Sequence, residues 1–167
     1  MAVILITGGA RSGKSLHAET RALALPGRPV YIATAEAHDA EMSARIAAHR
    51  ARRSAHWLDQ PAPLDLVEAL AQTDGHGARL VDCLTLWLSN LMFAGRDWRN
   101  ESLRLCDALA KQATTVILVT NEVGMGIVPE NALAREFRDA AGSLNQAVAR
   151  VADEVEFVVA GLPMKVK

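Results

Sequence analysis

Short apolar runs recur along this chain, separated by stretches in which apolar positions return every three or four residues. The runs are Ala2 to Ile6, Val30 to Ala33, Leu80 to Cys83, Val116 to Thr120 and Val155 to Ala160. They are brief, rich in β-branched residues and mostly unbroken by polar positions. That pattern predicts strands buried on both faces. Helical periodicity in between predicts helices at about 15–25, 39–54, 64–72, 85–94, 98–112 and 131–152. Strands that alternate with helices imply an α/β fold whose sheet is mostly parallel and flanked by helices. Pro61 and Pro63 punctuate the chain after Trp57, and Asp74-Gly75-His76-Gly77 marks a turn before the third strand. Met164-Lys165-Val166-Lys167 reads as a short edge strand, its lysines discouraging further pairing. There is no repeat or low-complexity tract, and 167 residues fit one domain over positions 1–167.

The first loop changes the picture. Gly8-Gly9-Ala10-Arg11-Ser12-Gly13-Lys14-Ser15 matches G-x-x-x-x-G-K-[ST] between a predicted strand and a predicted helix. Glycines let successive N–H groups point inward to cradle an anion, and the helix N-terminus adds partial positive charge. Lys14 is expected to reach the β- and γ-phosphates of a nucleotide, and Ser15 to ligate Mg²⁺. Ligands of parallel sheets sit at the carboxyl ends of the strands. Three further strand ends therefore matter: Thr34-Ala35-Glu36, Asp82, and Thr120-Asn121-Glu122. Asp82 reads either as an acid that supports Mg²⁺ or as the cap of the following helix. The loop alone also fits a nucleotide-operated regulatory switch.

Two other segments stand out. From Asp39 to Trp57, Met42 and Ile46 are spaced to face the sheet, and Arg45, His49, Arg52 and Arg53 follow at helical spacing. They form either a solvated basic face or a phosphate-handling site with His49 as acid, base or nucleophile. The basic stretch is short and carries no interleaved aromatics, so nucleic acid is not an expected partner. From Thr120 to Asn131, two glycines and a proline prevent a regular element, yet Val123, Met125, Ile127 and Val128 are apolar. A loop that closes over a large, partly apolar ligand has this composition.

Composition narrows the setting. Half the residues are hydrophobic but only 4% are aromatic, so Ala, Val and Leu carry the core. A net charge of −1 gives no global attraction to nucleic acid or anionic membrane. Cys83 and Cys106 have no metal-ligand spacing and fit a reducing, cytoplasmic compartment. The first residues lack a basic stretch and a signal-length apolar run, and no apolar run reaches the ~18 residues of a membrane span. Leu84, Leu86, Trp87, Leu88, Leu91, Met92 and Phe93 leave one helix almost without polar relief. One small domain is expected to struggle to cover it, which points to a homo-oligomer.

The phosphate loop, Arg45-Ile46-x-x-His49-x-x-x-Arg53-x-x-x-Trp57, Thr120 through Asn131, and Phe137-Arg138-Asp139-x-x-Gly142-x-x-Asn145-Gln146 occur in order. Together they resemble the bifunctional adenosylcobinamide kinase / adenosylcobinamide-phosphate guanylyltransferase family over essentially the whole chain. The resemblance implies a RecA-like P-loop fold. It implies two transfers: phosphorylation of adenosylcobinamide by ATP or GTP, then transfer of GMP from GTP to adenosylcobinamide phosphate. It implies that His49 becomes guanylylated, that Lys14 is catalytic, and that Ser15 and Asp82 hold Mg²⁺. Nucleotide contacts carry over onto Gly8, Gly9, Ala10, Arg11, Ser12, Gly13, Lys14, Ser15, Thr34, Ala35, Glu36, Arg50, Ala51, Arg52, Arg53 and Asp82. It also implies a homotrimer. Pro61 stands where the family often carries a nucleotide-contacting glutamate, and Asp82 where relatives often carry glutamate.

Overall fold

A computed structural model describes residues 1–36 and 56–167. The predicted helix 39–54 lies outside the described residues. Seven strands form one sheet: β1 (Val3–Gly8), β2 (Val30–Ala33), β3 (Leu58–Pro61), β4 (Arg79–Asp82), β5 (Val116–Asn121), β6 (Glu154–Val159) and β7 (Leu162–Lys165). Their order is β3-β2-β4-β5-β1-β6-β7, and every pairing is parallel except the β6–β7 hairpin. The described helices are α1 (Lys14–Leu23), α2 (Leu66–Gln72), α3 (Leu84–Phe93), α4 (Trp98–Leu109) and α5 (Ala132–Val151).

The unbroken apolar runs are explained by helices on both sides. Leu5, Ile32, Val81 and Leu118 point to one side, where they pack with Leu70, Trp87, Leu88, Leu105 and Leu144 from α2 to α5. Ile4, Ile6, Leu80, Ile117 and Val119 point to the other, against Ala18 and Ala22 of α1 and against Trp57. Consecutive residues of a strand thus serve opposite layers. Caps set two helix starts: Asp97 accepts from the Arg99 and Asn100 amides at 3.0 and 3.2 Å, and Asn131 from that of Ala134 at 3.1 Å.

Three expectations need correction. The proline-punctuated stretch after Trp57 contains β3, an edge strand that ends on Pro61, where the missing N–H costs no ladder bond. The final strand begins earlier than predicted, at Leu162, because Ala160 (φ 50°) and Gly161 (φ 82°) turn the chain back directly after β6. The apolar helix α3 is covered within this one chain. Leu84, Trp87, Leu88 and Leu91 are fully buried, and Phe93 alone among its apolar residues is strongly exposed, at 80%. Several helices share that face of the sheet, so α3 lies in the middle of a layer and supplies no argument for an oligomer.

Candidate active site

The sheet delivers the glycine-rich loop at the carboxyl end of its interior strand β1. Gly8 pairs with Asn121 of β5 on one side and Val158 of β6 on the other. The chain then rises through Arg11 (φ 55°) and Gly13 (φ 93°) into α1. A Cβ on Gly8 would lie 2.5 Å from the Val158 carbonyl oxygen, so no larger residue fits there. Lys14 folds back into the loop, and its Nζ donates to the Gly9 carbonyl at 2.9 Å. It is only 8% exposed. Burial pulls its ammonium below the ordinary lysine value, while Cys83 and Asp82 pull the other way. Its ammonium has three donors, and the bond to Gly9 leaves some to spare for an anion.

The neighbouring strand ends converge beside it. Asp82, the last residue of β4, accepts a hydrogen bond from the Tyr31 hydroxyl at 2.7 Å. Tyr31 meets Trp57 edge to face at 5.9 Å between ring centroids. Asp82 does not cap α3: Cys83 occupies the cap position in extended conformation, and its side chain makes no capping bond. Thr34 joins the ends of β2 and β4. Its Oγ1 accepts from the Cys83 amide at 2.7 Å and donates to the Cys83 carbonyl at 2.8 Å. Asn90 of α3 donates to the Thr34 carbonyl at 2.8 Å. Burial, and then the Asp82 charge, push the Cys83 thiol up to about 11, so it stays neutral. Ala35 and Glu36 follow Thr34, both half-buried.

A second polar cluster ties down the end of β5. Thr85 Oγ1 accepts from the Asn121 amide at 2.7 Å, and Thr120 donates to Asn145 Oδ1 at 2.8 Å. Sequence reading missed Tyr31, Thr85, Asn90 and Asn145 in these roles. The available signal was the run of hydroxyl and amide residues at or just after strand ends, where polar groups have no ladder partner. Beyond Asn121 the chain is irregular up to α5, as expected, and its apolar side chains face outward. Met125 is 79% exposed and Ile127 97%. Arg138 holds this loop through the Gly124 carbonyl at 2.7 Å.

The residues present fit a magnesium ion carried in with a nucleotide. Ser15 on the first turn of α1 and Asp82 offer the hard oxygen donors that would suit such an ion. Among the described residues no group of three acidic, histidine or cysteine side chains forms a metal cage. His49, Arg50, Ala51, Arg52 and Arg53 lie outside the described residues.

Comparison with known proteins decides the family. The model of "Cobinamide kinase / cobinamide phosphate guanyltransferase" matches residues 4–166. The chain belongs to that family. It is 49% identical to the bifunctional adenosylcobalamin biosynthesis protein CobP of Pseudomonas aeruginosa, with 98% of this chain and 96% of the relative covered. It is 45% identical to the corresponding CobU protein of Salmonella typhimurium, with 99% of each chain covered. Among solved structures, an ATPase from the type III secretion system of pathogenic bacteria matches at a TM-score of 0.58 and 11% identity. That match covers 98% of this chain and 56% of the ATPase, and it speaks to the fold alone. For this family member it agrees with the expected P-loop architecture of a mostly parallel sheet flanked by helices.

Proposed function

We propose that this chain phosphorylates the free hydroxyl of adenosylcobinamide with ATP or GTP, and then transfers GMP from GTP to the new phosphate to give adenosyl-GDP-cobinamide. Kinase and guanylyltransferase activities in cobalamin biosynthesis follow from the family. The observation that carries the reading is a likeness that spans residues 4–166, so both the phosphate loop and His49 fall within it. This argues against a regulatory switch, which needs no partner segments of that kind.

In this reading the chemistry divides into two transfers. In the first transfer the acceptor oxygen bonds to the γ-phosphorus as the bond to the bridging β-oxygen breaks. In the second, an imidazole nitrogen of His49 bonds to the α-phosphorus of GTP and pyrophosphate leaves. The phosphate of adenosylcobinamide phosphate then takes the GMP and frees the imidazole. Both steps shed or spread negative charge. Lys14 and the loop amides meet that charge in a site already arranged for it. Ser15 and Asp82 would hold Mg²⁺, which would further neutralise the polyphosphate. Arg50, Ala51, Arg52 and Arg53, with Thr34, Ala35 and Glu36, complete the nucleotide contacts in this reading. The exposed apolar loop after Asn121 takes the corrin edge. The protein acts in the cytoplasm as a homotrimer, and light scattering that finds a stable 17.9 kDa species would sink the trimer.

GTP labelled on the α-phosphate tests the covalent step. The label should survive denaturation, be released by acid, and be absent from His49→Ala, while kinase activity partly survives in that variant. Labelling that persists without His49 moves the nucleophile elsewhere.

A further inference from the structure

The phosphate loop is braced from outside by the turn of the β6–β7 hairpin. β6 runs beside β1 with Val158 opposite Gly8, and the Gly8 Cα approaches the Val158 carbonyl too closely for any side chain. The chain then turns through Ala160 and Gly161, both with positive φ. At that turn the Gly161 N–H donates to the Ser12 carbonyl at 2.8 Å. A Cβ on Gly13 would lie 3.1 Å from the Gly161 Cα, so the two backbones are in contact. The helix that follows the loop is fastened to the same hairpin. His17 Nε2 lies 2.8 Å from Glu156 Oε2, and Arg21 Nη1 lies 2.9 Å from Glu154 and 3.1 Å from Glu156.

This contact has a directional consequence. A trans peptide is planar, so the Ser12 carbonyl and the Gly13 N–H point opposite ways. Holding the carbonyl on the hairpin aims the N–H away from the hairpin. We propose that Gly161 is a positioning residue for nucleotide: its N–H pins the Ser12 carbonyl and thereby turns the Gly13 N–H toward the polyphosphate. The inference rests on the reading that Gly8 to Ser15 hold the nucleotide.

The role requires a left-handed backbone at position 161, not a particular side chain. A Cβ added at Gly161 meets nothing within 4 Å, so substitution acts through φ rather than through a clash. Asparagine tolerates φ of this sign and valine does not. Binding of a fluorescent GTP analogue to wild type, Gly161→Asn and Gly161→Val separates the cases. Gly161→Val should bind roughly 10-fold more weakly, the scale of one lost hydrogen bond to a charged group, and Gly161→Asn within about 2-fold of wild type. The nucleotide KM should rise in both transfers while the cobinamide KM holds. Should Gly161→Val fail to fold, Gly161→Ala takes its place, with roughly 3-fold weaker binding expected. Wild-type affinity in the valine variant, equal loss in the asparagine variant, or a parallel rise in the cobinamide KM would overturn the proposal. Failure of the wild type to bind the analogue would instead overturn the nucleotide reading itself.

Discussion

The two ends of β4 each lie beside a buried cation, and the two cations are treated differently. Arg79 begins the strand and is fully buried. One of its terminal nitrogens donates to the Leu70 carbonyl at 3.1 Å and to Gln112, and the other reaches the Thr114 carbonyl at 2.6 Å and Asp74 at 3.1 Å. At the far end, beside Asp82, Lys14 is almost as buried but makes one hydrogen bond among the described residues, to Gly9. A buried cation whose donors are nearly all used holds structure together. One with donors left over is poised for something that arrives. Burial alone does not distinguish them; the state of their donors does.

Breaking the more fully paired end should cost stability. Arg79→Leu takes one donor from Gln112 and from two carbonyls and removes the cation beside Asp74, an expected loss of about 3–5 kcal/mol in urea unfolding. The folded fraction should keep its specific activity; a selective activity loss at unchanged stability would reverse the contrast. Breaking the unsaturated end should do the opposite. Lys14→Ala should lower both transfers by at least ~10²-fold, about 2.7 kcal/mol of transition-state stabilisation, with unfolding little changed. Either activity persisting near wild type would mean a second nucleotide site.

Acid sharpens the same contrast with a smaller effect. Burial pushes the Asp74 carboxyl up, but the Ala113 and Thr114 amides and the Arg79 charge outweigh it and hold it below the ordinary value. The unfolded chain therefore binds the proton first. Asp74 contributes stability above about pH 4, and that contribution is lost as pH falls through the lower folded value. Urea midpoints measured from pH 6 downward should fall with acid, and Asp74→Asn should flatten part of that slope. An unchanged slope removes Asp74 from the account. The smallest expected effect lies in the exposed loop after Asn121. Replacing Met125 and Ile127 together with serine should raise the cobinamide KM about 10-fold through lost apolar contact, with GTP labelling intact. Equal losses in both assays would assign the loop to nucleotide or fold.

What could be read in advance follows from what the side chains advertise. β1, β2, β4 and β5 are buried on both faces and so appear as apolar runs, while β6 reads the same way from its valines and Phe157 although it is only partly buried. β3 was hidden because an edge strand need not be apolar: Leu58-Asp59-Gln60-Pro61 exposes Asp59 and ends in a residue that discourages strands. The phosphate loop was legible because its glycines answer to backbone geometry that few sequences satisfy. Tyr31 on Asp82, or Asn145 on Thr120, was not, since those partners are 51 and 25 residues apart and only the completed sheet brings them together. The apolar loop was legible as an anomaly, and the structure places its side chains in solvent as that anomaly suggests. The apolar helix α3 misled for the converse reason. Composition shows that a helix must be covered but not how much cover its own chain provides.

The position of β1 has a consequence for how the protein is made. The strand that carries the phosphate loop comes first in the chain, yet its two neighbours are β5 and β6. Val3 pairs with Val116, and Ile4 with Glu154. As the polypeptide leaves the ribosome, β1 must wait, apolar and unpaired, until β5 and β6 have emerged. Such long loop closures slow folding and leave a sticky strand open to wrong partners in the interval. The cradle for phosphate, encoded before both of its neighbouring strands, therefore takes shape only after β5 and β6 have been made.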